Sequence, residues 1–209
     1  MRESFAEISA DEHDRLHALY GPLTTAVRKL VDASIRTGVD DQVIRDAQAA
    51  IEAVTATLES RQYEGPRTLR HAVTGRPVVW ADPAIGLRNA IAPPLDVQHT
   101  EDGRCWTEFT LGARYEGPPD RVHGGICALV LDHVLGEVAS EGLVKPRFTG
   151  TLTLKYLRGT PLGPLRAEAW IDRTEGVKAF ARGRILDAEG VTVEAEGIFV
   201  MPAWAREAG

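Results

Sequence analysis

The spacing of apolar residues divides the chain into a helical first part and a sheet-forming second part. Between residues 11 and 62 apolar side chains recur every three or four positions, which is typical of amphipathic helices. We predict a first helix that Gly21-Pro22 ends, a second that ends at Gly38 and a third that begins at Asp40 or Asp41. Each helix has an apolar side, so we expect the group to pack on the main domain or on a partner subunit. The alternative is a lid over a binding site.

The second part of the chain alternates apolar and polar residues with the period of a β-strand. We predict a hairpin from residues 95–99 and 105–115, with its turn at 101–103. Four further strands follow, joined by short turns, and we expect them to form an antiparallel meander. These strands are Thr149–Arg158, Leu165–Arg173, Val177–Leu186 and Val191–Met201.

A glycine turn and a strongly apolar helix lie between the hairpin and the meander, in RVHGGICALVLDHVLGEVASE. Projection at 3.6 residues per turn gives this helix one narrow polar stripe that includes His133 and Glu137. So apolar a helix must be covered on most sides, and a sheet that curls around it achieves this. The predicted class is therefore α+β. We expect a helical extension at 1–62, a linker at 63–80, the main domain at 81–202 and a tail at 203–209.

Asp132 is a carboxylate outside that polar stripe, on a face made of small and apolar residues. Another surface can approach it closely there and remove solvent, which favours a role as general base. The structural alternative is a capping residue or a salt bridge. At the start of the helix, Gly124 and Gly125 present backbone N–H groups at the positive end of the helix dipole, where an oxyanion is stabilised. The same glycines also suit a tight turn.

Composition excludes several classes of function. The net charge is −6 and no basic cluster occurs, which disfavours nucleic acid and anionic membranes as partners. We find no leader sequence and no apolar run long enough to span a membrane, so a cytoplasmic protein is expected. Two cysteines, Cys105 and Cys127, are too few for a disulfide framework or a thiolate metal site. We expect no metal and no other cofactor.

The order of these elements, with EGPPDRVHGGICALVLDHVLG and TLTLKYLRGTPLG, resembles the hotdog fold, in which an antiparallel sheet wraps a central helix. Within that fold it resembles acyl-CoA thioesterases of the phenylacetic-acid-degradation type. The resemblance covers about residues 80 to 202 and implies that the Gly124 N–H polarises the thioester carbonyl. It also implies that Asp132 is the general base or nucleophile and that Thr149 supports it. Dimers, and in some cases tetramers, are implied as well.

Other positions near this motif are more ambiguous. We expect His123, Gly125 and Arg158 to contact substrate, although a histidine before a glycine turn is more often a structural hydrogen-bonding residue. Gly117 stands where some relatives have an asparagine that contacts the carbonyl. Asp120 stands where glycine is usual, and it adds negative charge near a polyanionic ligand.

The function predicted from the sequence is hydrolysis of an acyl-CoA thioester to free acid and CoA. The alternative is a non-catalytic acyl-CoA or acyl-carrier binding module, and a hotdog dehydratase is a weaker third reading. Gly124 and Asp132 are eight residues apart, hence about 12 Å along one helix, so one carbonyl cannot contact both in the same chain. We therefore predict that each site is built from two chains, with small residues such as Ala128, Gly136 and Ala139 at the contact. The acyl group is not predicted.

Overall fold

A computed structural model describes residues 6–64 and 69–206. The helices are α1 (Ala10–Arg36), α2 (Asp41–Glu59), α3 (Gly124–Ala139) and α4 (Ala203–Arg206). The strands are β1 (Ala6–Ile8), β2 (Leu69–His71), β3 (Pro77–Val78), β4 (Gln98–His99), β5 (Cys105–Leu111), β6 (Phe148–Tyr156), β7 (Gly163–Glu175), β8 (Lys178–Asp187) and β9 (Gly190–Val200). None of the helices in these two ranges has the length and apolar character that a membrane crossing requires.

The core is a six-stranded sheet that wraps around α3. Its strands are antiparallel in the order β4-β5-β7-β8-β9-β6. The inward side chains of β7, β8 and β9 are buried at alternate positions, which is the pattern that the alternation predicts. Leu135 of α3 lies so close to the sheet that a Cβ at Gly183 would be 2.4 Å from its Cδ1. The predicted α+β hotdog fold is confirmed.

The predicted four-strand meander is wrong in one connection. Strands β7, β8 and β9 form a meander, but β6 pairs with β9 at the edge of the sheet and not with β7. The segment between β6 and β7 does not make a tight hairpin, because it runs past the start of α3. There Val122 donates a hydrogen bond to the carbonyl of Thr160, and Arg121 pairs with Pro161.

The predicted break at Gly21-Pro22 is also wrong, since α1 continues through Pro22 for 27 residues. A proline inside a helix removes one backbone hydrogen bond and costs about 3 kcal/mol. Contacts with the main domain on the far side of Pro22 offset this cost. Arg28 donates to the carbonyl of Ala92 at 3.1 Å, and Asp32 accepts from Arg114 at 2.5 Å.

The segment predicted as a linker contains regular structure. Strands β2 and β3 lie in it and form a small sheet with β1, in which β1 is parallel to β2. Parts of the predicted extension, linker and tail, namely residues 1–5, 65–68 and 207–209, lie outside the described residues.

Helix α3 buries most of its surface within its own chain. Cys127, Val130, Leu131 and Val134 face the sheet and are at most 2% exposed. Ala139, which we expected at a contact between chains, is fully buried because the loop after α3 covers it and Arg147 donates to its carbonyl at 2.7 Å. The outward face of α3 is therefore shorter than predicted.

Candidate active site

His123 caps the start of α3. It is the residue before the first helical turn, and its Nδ1 accepts the N–H of Gly125 at 3.0 Å. Its carbonyl accepts the N–H of Ile126 at 2.9 Å, and its own N–H donates to Tyr115 at 2.9 Å. These contacts are those of a structural N-cap. They also occupy the N–H of Gly125, so that of the two glycine donors only Gly124 is left to consider.

Gly124 presents a free backbone donor at the positive end of the helix. Within the described residues its N–H has no hydrogen-bond acceptor, whereas its carbonyl accepts the Tyr156 hydroxyl at 2.9 Å. A Cβ at this position would be 3.3 Å from the Tyr156 Oη, so the glycine keeps the approach open. Since no side chain screens it and the helix dipole adds to its polarity, this N–H suits a developing oxyanion.

Asp132 and Thr149 form a hydrogen-bonded pair between α3 and the edge strand β6. The Thr149 hydroxyl donates to Asp132 Oδ1 at 2.8 Å, and the carboxylate is half-buried. Oδ2 has no hydrogen-bond partner among the residues described. One carboxylate oxygen is thus held in place while the other is free to accept a proton from water.

A β-bulge aims Thr149 at the helix. The pairing of β6 with β9 shifts between Thr149 and Thr151, so that Gly150 is the extra residue. A Cβ at Gly150 would be 3.2 Å from Val200, which explains why a residue without a side chain stands there. Bulges commonly redirect a side chain near a functional site. The sequence shows Thr149 but gives no sign of the bulge.

Arg158, predicted to contact substrate, is already paired with protein groups. Its guanidinium makes a two-pronged contact with the carboxylate of Asp187 and donates to the carbonyl of Gly190 at 3.0 Å. Hydrogen bonding from Arg158 lowers the pKa of Asp187 to about 2. The arginine holds the turn between β8 and β9, so a substrate phosphate has to compete with Asp187 for it.

Glu137 is a buried carboxylate on the narrow polar stripe that the sequence predicts for α3. It is fully buried, with Arg76 at 2.7 Å, His99 at 3.0 Å and His133 at 3.4 Å. Burial raises the pKa of the Glu137 carboxyl, but the contacts from His133, Arg76 and His99 outweigh burial and lower the pKa below its usual value. The cluster joins the turn between β2 and β3, which carries Arg76, and strand β4, which carries His99, to the helix that carries Asp132. Only the His133–Glu137 spacing hinted at it, because the other two partners are distant in sequence.

Neither cysteine is placed to act as a reactive thiol. Cys105 and Cys127 are buried and free, and burial raises the pKa of both thiols, that of Cys105 to about 12. Across residues 6–64 and 69–206, no group of three or more His, Cys, Asp or Glu side chains is arranged to hold a metal ion.

The central helix and the sheet wrapped around it define a hotdog-type domain, and comparison with known proteins agrees on this fold. The thioesterase superfamily model matches residues 120–194. A crystal structure of a thioesterase superfamily protein is 35% identical, with a match that covers 87% of this chain and 94% of that one at a TM-score of 0.78. The chain therefore belongs to the thioesterase superfamily. Helices α1 and α2 contain 27 and 19 of the 209 residues, which is more than the part of this chain that the match leaves uncovered. The match therefore includes part of the N-terminal helices.

More distant structures align with about half of the chain. A phenylacetic acid degradation-related protein from Ralstonia eutropha is 20% identical over 51% of this chain and 83% of that one, with a TM-score of 0.47. The PaaI protein of E. coli, from the phenylacetic acid degradation operon, is 16% identical over 52% of this chain and 80% of that one, with a TM-score of 0.48. No curated protein matches the chain.

Proposed function

We propose that the protein hydrolyses an acyl-CoA thioester to a free acid and CoA. Membership of the thioesterase superfamily supports thioester hydrolysis in general. The observation that carries the proposal further is the Asp132–Thr149 pair, which leaves one carboxylate oxygen free on a helix whose first N–H is also free. A general base and an oxyanion donor are the two groups that hydrolysis of a thioester requires from a protein.

The proposed site uses Gly124 from one chain and Asp132 from another. Both residues lie on α3, and eight residues of helix span about 12 Å. The carbonyl carbon must lie about 3 Å from the attacking atom while its oxygen meets the N–H donor. Two copies of α3 that run antiparallel across a two-fold axis bring Gly124 of one chain close to Asp132 of the other.

Two exposed features support such pairing. The outward face of α3, around Ala128, Leu129 and Asp132, is only half-buried by its own chain. Strand β6 is an edge strand of nine residues, and among the strands described it pairs with β9 alone. An unpaired strand of this length readily joins a second sheet. A homodimer, or a tetramer made of two such dimers, follows from the proposal.

The chemistry proceeds without a cofactor in this scheme. Asp132 takes a proton from a water molecule, which attacks the carbonyl carbon, and the Gly124 N–H of the other chain stabilises the oxyanion. The C–S bond then breaks, and the CoA thiolate leaves and takes up a proton. In the second form of the scheme Asp132 attacks the carbonyl itself, and water hydrolyses the resulting anhydride. Thr149 orients the carboxylate in both forms.

A cavity of about 770 Å³ has room for an acyl group. Its lining includes His133 and Phe148, the sequence neighbours of Asp132 and Thr149, although Asp132 and Thr149 do not line it themselves. Pockets for small ligands usually measure about 300 to 1,000 Å³. We place the acyl group there, and we keep the cytoplasmic location expected from the sequence as part of the proposal.

A panel of acyl-CoA esters of different length and polarity tests this function by the release of free thiol. We expect turnover of at least one ester by the wild-type protein and none above background by Asp132→Ala. Saturable binding of an ester without thiol release would instead identify an acyl-CoA binding module. If thiol is released only from acyl-carrier protein esters, the acyl carrier is that protein and not CoA.

A further inference from the structure

Helix α2 is not covered by any part of residues 6–64 and 69–206. None of its 19 residues is buried, although it is well formed and carries several large apolar side chains. Val43, Ile44, Ile51, Val54 and Leu58 are between 41% and 58% exposed. A helix of this length is marginally stable alone, and in proteins packing of an apolar face supplies most of the stability. Something must therefore cover it.

The apolar residues of α2 follow the spacing of a coiled-coil seam. Steps of three and four residues alternate along the helix, as they do at the a and d positions of a heptad. The seam consists of Ile44, Ala47, Ile51, Val54 and Leu58. Packing against another helix requires this spacing, whereas packing on a globular surface does not. The spacing therefore favours another helix as the partner.

The charges of α2 permit that partner to be an identical helix. Between Ile44 and Leu58 the positions that flank the seam are uncharged, and a charge, that of Asp41, flanks it only before Ile44, at the start of the helix. The uncharged flanking positions are Val43, Gln48, Ala50, Thr55 and Thr57. The charged side chains Arg45, Asp46 and Glu52 lie on the opposite side, where Gln42 and Gln48 hydrogen-bond to Asp46 and Glu52. Two copies can therefore meet between Ile44 and Leu58 without repulsion between like charges.

Helix α1 adds a second uncovered stripe. Its inner side packs on the main domain through Thr24 and Arg28, whereas Leu19, Leu23 and Leu30 remain 37% to 58% exposed. The ten large apolar side chains exposed between residues 19 and 58 offer on the order of 800 Å² per chain, which is the share of one partner in a standard interface. A second copy of the same two helices is large enough to cover them.

We propose that α2 packs against α2 of a second copy of this chain along the seam, and that the exposed stripes of the two α1 helices extend this contact. This contact between subunits is separate from the pairing of α3, and it does not depend on the proposed reaction.

Cross-linking at one position tests the seam directly. Ile51 is close to the midpoint of α2, so two copies of residue 51 meet whether the paired helices run parallel or antiparallel. Under a mild oxidant we expect Ile51→Cys to form a covalent dimer, seen on a non-reducing gel. Ala49→Cys is the matched control, because Ala49 is on the opposite side of the same helix. The native cysteines are buried and free, which keeps the background low.

A charge in the seam provides the second test. We expect Ile51→Glu to lower the mass of the assembly in sedimentation at equal concentration, whereas Ala49→Glu leaves the mass unchanged. Both measurements are independent of thiol release, so failure here is distinguishable from failure of the proposed function. The proposal is overturned if Ile51→Cys cross-links no faster than Ala49→Cys, or if Ile51→Glu keeps the wild-type mass.

Discussion

Replacement of Asp132 by asparagine separates a catalytic role from a structural one, because the two roles predict very different magnitudes. The asparagine amide oxygen still accepts the Thr149 hydroxyl, which donates at 2.8 Å in the wild-type protein. A hydrogen bond to a charged acceptor contributes about 1.5–3 kcal/mol and a neutral one about 0.5–1.5 kcal/mol, so the expected loss of stability is about 1 kcal/mol. In a domain of this size that lowers Tm by about 2–4 °C.

The expected loss of activity is much larger. An amide cannot accept the proton of the attacking water, and the loss of a general base typically lowers the rate by about two to four orders of magnitude. That corresponds to about 2.7–5.5 kcal/mol in the barrier, several times the loss of stability.

Thiol release measured by a disulfide reagent is the assay, with Tm as the check on folding. The protein's own thiols are buried and their pKa values are raised by burial, so they contribute little signal. Thr149→Val is the matched variant, since it keeps the shape but removes the hydrogen bond, and we expect a loss of about 10- to 150-fold, mainly in kcat. Near-normal turnover by a folded Asp132→Asn variant would refute the assignment of Asp132.

Three further predictions concern stability and assembly. Glu137 has a lowered pKa, so its contribution to the free energy of unfolding is complete above the usual value of 4.5 and is lost as the pH falls from there through its folded pKa. Glu137→Gln should flatten this acid loss in denaturant titrations carried from pH 7 down to about pH 3. Deletion of residues 1–62 uncovers apolar surface where α1 packs, and we expect aggregation or a changed mass in light scattering; unchanged mass and kinetics would mean that the extension is loosely attached. Gly183→Ala should lower the free energy of unfolding by about 1–3 kcal/mol, measured by thermal unfolding, because its Cβ would meet Leu135.

The sequence predicts those elements whose residues interact with near neighbours. The alternation in β7, β8 and β9 and the apolar run of α3 both follow from local periodicity, and both are confirmed. The motif around Gly124 and the threonine that begins β6 also show which residues to examine.

Features that depend on distant residues are not predictable from local pattern. Pro22 reads as a break, yet contacts of α1 with residues more than 60 positions away hold the helix together. The burial of Glu137 is not predictable from the polar stripe of α3, because its partners Arg76 and His99 come from other segments. The edge position of β6 is decided by where the chain passes the start of α3, which its own alternation does not reveal.

A mixture of two inactive variants tests the two-chain site most directly. Asp132→Ala removes the carboxylate, and Gly124→Pro removes the N–H at the first helical position, where proline is tolerated. Each variant alone should be inactive. A mixed dimer made by refolding them together contains one site with both lesions and one with none, so we expect thiol release to reappear, with up to about a quarter of wild-type activity for random pairing. If both variants fold and form mixed dimers, yet the mixture releases no more thiol than its components, Gly124 and Asp132 do not act across two chains.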